Sequence, residues 1–394
     1  MTSTSRQMKG LVPCPSYLSL ISAPKNHEKP GQGDSYRCHP SKGKGIWIVI
    51  PDTGFQLNRY PHEWKSDQRT IKTWIVPPSQ LHVPWFLRND EWVCDNSMDD
   101  NAKARDEEGM NPEGHGTSIA IIAAGSQSGV APLANLYLQK VQTTAFRKIP
   151  GKPRWWQWCI PLAYVTALEN IIEVVDRGEI PPGKAVVSIQ IGFDLTNIYD
   201  EFKPTFDEYK ERCKRVLEAF SKRGIVVVMA AGNSCAMLRE TTESKAPTCL
   251  AGPRNDAILV GGTDMVGRLW WESTPGTKDC PVDIYAPACQ VECYDLTSTS
   301  ETPSKKWGTS YSSPQVAGLA AYFLGHPDFQ ERFKYSPSDY KNGNTVGMRM
   351  KKWLKEISFQ RVPDEEKLVL EHAEDYYHPD GIPPTTVNVL SNNY

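Results

Sequence analysis

The chain carries almost no net charge: Lys plus Arg number 44 and Asp plus Glu 46, a formal balance of −2 over 394 residues. Without an excess of either sign there is no electrostatic case for nucleic acid or an anionic lipid surface as partner. No window approaches the ~18 uninterrupted apolar residues of a membrane-spanning helix. Met1 to Lys9 also lacks the apolar run of a secretory leader. There is no internal repeat, no EF-hand spacing and no Cys-Xaa-Xaa-Cys pair. A Gly-Xaa-Ser-Xaa-Gly elbow followed by Asp and then His, as an α/β-hydrolase requires, is missing too.

Cysteine is present but unstructured as a motif. The ten thiols are Cys14, Cys38, Cys94, Cys159, Cys213, Cys235, Cys249, Cys280, Cys289 and Cys293. An even count is compatible with disulfides, yet the pairing cannot be read from sequence. Cys289 and Cys293 stand four apart with no second ligand pair, which argues against zinc. Most of these thiols are expected to be plain buried or surface cysteines, with one or two bridges at most.

What is there is a hydrophobic content of 39 %, ample for one large core. Residues 1–42 are rich in Ser, Pro, Lys and Gly and read as an irregular arm. Ile46 to Ile50 is a continuous apolar run with β-branched residues, the pattern of a strand buried on both faces. Residues 134–141, 185–191 and 225–229 read as further strands. Helices are expected at 118–124, 160–175, 206–223 and 346–357, the last from the apolar face Val346, Met350, Trp353, Leu354 and Ile357. Strands alternating with helices imply an α/β fold, with a mostly parallel central sheet and helices on both faces. The stretch 62–109 reads as a long solvated loop, acidic near Asp95, Asp99, Asp100, Asp106, Glu107 and Glu108. Residues 361–394 read as a surface tail, leaving 43–360 as the folded domain.

Three short segments carry chemistry: Asp52-Thr53-Gly54, His115-Gly116-Thr117 and Gly308-Thr309-Ser310. They offer an acid, a base and a hydroxyl, in the order Asp, His, Ser. A hydroxyl becomes a useful nucleophile only when a base takes its proton, and that base needs a third group to hold its tautomer. Each segment alone is weak. Asp-Xaa-Gly is common turn chemistry, a Ser before a helix is a frequent cap, and the other seven histidines (His27, His39, His62, His82, His326, His372 and His378) read as structural. Asp52 gains weight because it ends the apolar strand, where open α/β sheets place their ligands.

Five separated segments, in order, resemble the subtilisin-like serine proteases, or subtilases: 45–54 with Asp52, 114–117 with His115, 129–141, 230–233 with Asn233, and 308–318 with Ser310. The resemblance covers roughly 43–358. It implies a three-layer subtilisin-like fold. It also implies a serine endopeptidase in which Ser310 attacks the peptide carbonyl, His115 moves the proton and Asp52 orients His115. Asn233 and the Ser310 backbone amide then form the oxyanion hole. Pro314 is expected in the first turn of the helix that Ser310 opens.

By the same resemblance, Ser188, Gln190, Ile191 and Gly192 contact an extended peptide substrate, with Gln190-Ile191-Gly192 lining the first specificity pocket. A second wall belongs after Val141, where this chain inserts a basic loop with Trp155, Trp156 and Trp158. These tryptophans anchor the loop or meet apolar substrate groups. Departures from the family pattern are Ser118, Gln190, Ala288 and Gln315, none of them in the triad. Cys235 and Cys249, which flank the loop after Asn233, are the first candidates for a bridge. No redox or nucleotide cofactor is implied; calcium enters through the resemblance alone. The expected partner is a polypeptide substrate, with no nucleic acid, no membrane and a monomeric state. Family members are commonly secreted with a long pro-segment, and only about forty residues precede the first matched strand. The expectation is therefore either an intracellular protein or a partial form of a secreted precursor. The rival reading is a catalytically silent module of the same fold that binds peptides.

Overall fold

The computed structural model describes residues 15–22, 36, 38–65, 67–80, 92–95, 114–147, 154–196, 198, 200–234, 240–253, 255–294, 303–360 and 388–389. In chain order the strands are β1 (Trp47–Asp52), β2 (Ile71–Ile75), β3 (Trp92–Asp95), β4 (Asn135–Lys140), β5 (Gln142–Arg147), β6 (Arg154–Cys159), β7 (Ala185–Ile189), β8 (Phe193–Asp194), β9 (Val226–Ala230), β10 (Lys245–Ala246), β11 (Ala257–Thr263), β12 (Ile284–Pro287), β13 (Val291–Cys293), β14 (Ser304–Lys306), β15 (Phe359–Gln360) and β16 (Asn388–Val389). The helices are α1 (Ser16–Ser22), α2 (Pro61–Trp64), α3 (His115–Ala124), α4 (Pro161–Asp176), α5 (Lys203–Lys222), α6 (Thr309–Gly325) and α7 (Val346–Ile357).

Seven strands form a parallel sheet in the order β12-β11-β9-β7-β1-β4-β2, and the short β16 and β15 extend it beyond β12. Successive side chains of a strand point to opposite faces, and the strands obey this closely. Ile48, Ile50, Val186, Val226, Val228, Ile258 and Val260 enter the core beneath α3, α6 and α7. Trp47, Val49, Ala185, Val187, Val227, Met229 and Leu259 enter the core beneath α4 and α5. This is the three-layer α/β architecture, and the apolar runs without alternation are its sequence signature.

The helices differ in the same logical way. In α5, buried Tyr209, Cys213, Val216 and Phe220 recur at helical spacing and the rest faces water. In α3 and α6 nearly every residue is buried, because both lie between the sheet and other elements. Where α3 and α6 pass each other, a Cβ on Gly318 would sit 2.7 Å from the Ala123 carbonyl oxygen.

Four expectations change. The arm is not irregular throughout: α1 buries Tyr17, Leu18, Leu20 and Ile21. Its Tyr17 hydroxyl donates to the Ser128 carbonyl at 2.6 Å, and Ser16 donates through both N–H and hydroxyl to Glu292. The stretch 62–109 contains an edge strand, β2, whose half-buried residues pair with β4. The Trp-rich insertion is a hairpin, β5 against β6, joined by β3 in an antiparallel sheet with Trp155 opposite Phe146 and Trp156 opposite Ala145. Cys249 carries a free thiol, so it makes no bridge to Cys235, which lies outside the described residues. The acidic residues 99–108, and residues 361–387 and 390–394 of the tail, also lie outside them. Among the described residues no helix is long and apolar enough to cross a membrane.

Candidate active site

The sheet order reverses at β1: the chain moves to β4 and β2 on one side, then returns to β7, β9, β11 and β12 on the other. Ligands of open α/β sheets bind at the carboxyl edge beside such a reversal. Asp52 is the last residue of β1 and is wholly buried. Asn233 lies just past β9, and residues 190–192 just past β7.

Asp52 is wired on one oxygen. Its Oδ1 accepts from the Thr53 amide and meets His115 Nδ1, each at 2.7 Å. A carboxylate only accepts, so Nδ1 must carry the hydrogen, which leaves Nε2 as the acceptor facing outward. The second oxygen, Oδ2, is buried with no partner among the described residues. Gly116 closes this corner: a Cβ there would meet the Gly54 carbonyl oxygen at 2.4 Å and Asp52 Cβ at 3.1 Å. Its amide donates to the Thr53 hydroxyl, so the two motifs lock to each other. His115 is the first residue of α3, which begins three residues earlier than its apolar pattern suggests, after Gly114 in the left-handed region.

Ser310 is the second residue of α6 and is half-buried. Its two neighbours tie it to the rest of the site. The Thr309 amide and hydroxyl both reach Asn233 Oδ1 at 2.8 Å, and the Thr309 hydroxyl accepts from the Gly232 amide. With its oxygen occupied, Asn233 turns its NH2 toward the start of α6; a Cβ on Gly308 would lie 3.2 Å from that nitrogen. The Tyr311 ring, itself buried, stands 5.9 Å from the His115 ring between centroids. A developing negative charge here gains from the helix N-terminus as well as from the amide.

Pro314 sits inside α6, not in its first turn, because the helix already begins at Thr309. Proline lacks the N–H that would bond the Ser310 carbonyl. Gln315 braces that turn by donating to the Tyr311 and Pro287 carbonyls, and Ser312 donates to the Ala286 and Pro287 carbonyls.

The expected substrate segment divides. The Ser188 side chain is fully buried and its backbone pairs with Val228 of β9. Gln190 folds back, its amide donating to the Ser188 hydroxyl and to Ser313 Oγ. Both side chains are buried, and the amide of Gln190 finds its partners inside the protein. Ile191 is half-buried and Gly192 exposed. Among the described residues no group of three or more His, Cys, Asp or Glu is arranged to hold a metal ion.

Sequence reasoning singled out the acid, the base, the hydroxyl and the amide, and passed over the threonines that fix them. Thr53, Thr117 and Thr309 each occupy one of the three motifs; Thr117 Oγ1 accepts from the Gln56 amide. Their repeated presence beside the reactive residues was the available signal.

A family model described as the subtilase family matches residues 43–343. Subtilisin-like protease 2 of Trichophyton rubrum is 27 % identical over 293 residues, covering 73 % of this chain and 52 % of that protein. Subtilisin-like protease 3 of Pseudogymnoascus destructans is 30 % identical over 303 residues, covering 76 % and 57 %. The chain thus spans little more than half the length of these relatives. The crystal structure of a cold-adapted subtilisin-like serine proteinase superposes with a TM-score of 0.57 at 18 % identity, covering 96 % of this chain and 98 % of that one, which establishes the shared fold. With the family model matching well over half of its residues, this chain belongs to the subtilase family.

Proposed function

We propose that the chain is a serine endopeptidase working through Asp52, His115 and Ser310. His115 Nε2 takes the proton as Ser310 Oγ bonds to the scissile carbonyl carbon. The carbonyl oxygen, now negative, accepts from Asn233 Nδ2 and the Ser310 amide. The carbon–nitrogen bond then breaks, and His115 gives its proton to the leaving amine. Water repeats the sequence on the ester and frees Ser310. Asp52 keeps Nδ1 protonated and stabilises the imidazolium throughout.

The observation that carries this reading is the bracketing of Ser310. Wholly buried Asp52 meets half-buried His115 at 2.7 Å, the His115 ring lies 5.9 Å from that of Tyr311, the residue after Ser310, and Thr309, the residue before it, clamps the Asn233 amide. A fluorophosphonate probe reacts only with an activated serine. Labelling of the wild type that disappears in Ser310→Ala and His115→Ala is the expected result. A folded wild type that stays unlabelled overturns it and favours a silent peptide-binding module.

A further inference from the structure

We infer that Lys245 makes this a protease for acidic side chains at the residue whose carbonyl is attacked. The inference rests on the proposed mechanism. That mechanism places the attacked carbonyl oxygen at Asn233 Nδ2. The side chain of the same substrate residue leaves from the adjacent carbon, so it falls among the groups nearest Asn233, on the 190–192 side.

Those groups form a slot with a cation along its floor. Strand β10 carries Lys245 and pairs antiparallel with β8, Lys245 opposite Asp194. The lysine stem runs between two glycine-bearing segments. A Cβ on Gly192 would lie 3.6 Å from Lys245 Cβ, and a Cβ on Gly232 would lie 3.7 Å from Lys245 Cδ. Neither glycine sets a side chain against the stem at these points, and Thr274 Oγ1 borders Gly232, 2.8 Å from such a Cβ. The ammonium ends beside Ser234, the residue after Asn233, and donates to its hydroxyl at 2.6 Å.

The charge of Lys245 is only partly answered within the protein. Glu240 Oε2 stands 3.5 Å from Nζ, beyond a strong hydrogen bond. An ammonium has three donors, and Ser234 takes one. An Asp or Glu side chain entering the slot supplies a closer acceptor to a half-buried cation, where charge pairing is screened less than in bulk water. A Lys or Arg side chain would meet like charge. Asp194, exposed at the rim, engages the amide and hydroxyl of Thr196 through Oδ1 alone, and its charge also feels the lysine.

The test is hydrolysis of a peptide series varied only at that position (Asp, Glu, Gln, Leu, Phe, Lys and Arg) by wild type, Lys245→Met, Lys245→Arg and Lys245→Glu. Fluorophosphonate labelling of each variant reports that its nucleophile and base are assembled. The expected wild-type order places Glu and Asp above Gln, and Lys and Arg last. The Glu-to-Leu ratio of kcat/KM should fall about tenfold in Lys245→Met. Lys245→Arg should keep it, and Lys245→Glu should invert the preference toward Lys and Arg. A ratio unmoved across the variants overturns the assignment, as does a wild type that cleaves best after Lys or Arg, which would give the slot to Glu240. A wild type that neither labels nor cleaves any peptide removes the protease reading itself, and this inference with it.

Discussion

Asn233 can present either its oxygen or its NH2 toward the start of α6, and Thr309 removes the choice by filling the oxygen with two donors. The threonine touches no reacting atom and acts by positioning the amide. Thr309→Val keeps the shape and the backbone donor and removes the hydroxyl. It is expected to lower kcat roughly tenfold, a fraction of the hundred- to thousandfold lost in subtilisin when the amide itself is removed. KM should change little, while the melting temperature should fall modestly because the Gly232 amide loses its acceptor. An unaltered kcat would mean that the backbone bond alone suffices. None of this was visible locally, because the bond joins residues 76 apart in sequence. Asp52, His115 and Ser310 drew notice because each stands in a tight motif of small residues, whereas only the fold reveals that Ser188 and Ser313 wait behind the Gln190 amide.

At the scale of elements, legibility followed burial only in part: β11 is wholly buried yet was not read, its apolar run being cut short by two glycines. Strands buried on both faces, such as β1 and β9, announce themselves as β-branched runs, and amphipathic α4 and α5 as helical spacing. The edge strand β2 does not, since all its residues are half-buried or exposed and its pattern resembles a loop. Helix α1 was hidden by the arm around it. The meeting of α3 and α6 supplies a quantitative test. In an isolated helix, replacing Gly by Ala stabilises by about 1 kcal/mol. At Gly318 the new Cβ would also crowd Val130 Cβ at 2.7 Å, besides the Ala123 carbonyl. The sign should reverse: Gly318→Ala is expected to destabilise by about 1–3 kcal/mol, as overpacked cores do. The midpoint of urea unfolding measures this, and a stabilised variant would mean that the two helices separate at little cost.

For the whole molecule, acid sensitivity has an identifiable contributor away from the triad. His326 closes α6, is nearly buried, and accepts from the Asp328 amide through Nδ1, which requires the neutral ring. Burial lowers its pKa below the ordinary 6.5 and neighbouring His39 lowers it further, against the opposing pull of the Asp328 carboxylate. Tyr322 and Phe329 cover the remaining sides. The unfolded chain therefore binds this proton more readily than the folded one. Stability contributed here is complete above pH 6.5 and is lost as pH falls below it toward the folded value. His326→Gln should flatten the fall of melting temperature between about pH 6.5 and 5, relative to wild type; parallel curves would assign the acid limb to other groups.

Helix α1 divides the arm into two parts with different fates. Leu18 and Ile21 join the same core as the strand that ends in Asp52, Tyr17 ties down the turn at Ser128, and Ser16 holds strand β13 through Glu292. Trimming through residue 22 would open a void on the α3–α6 face. For any protease that shapes the front of this chain, a cut beyond Ser16 removes side chains that fill the core.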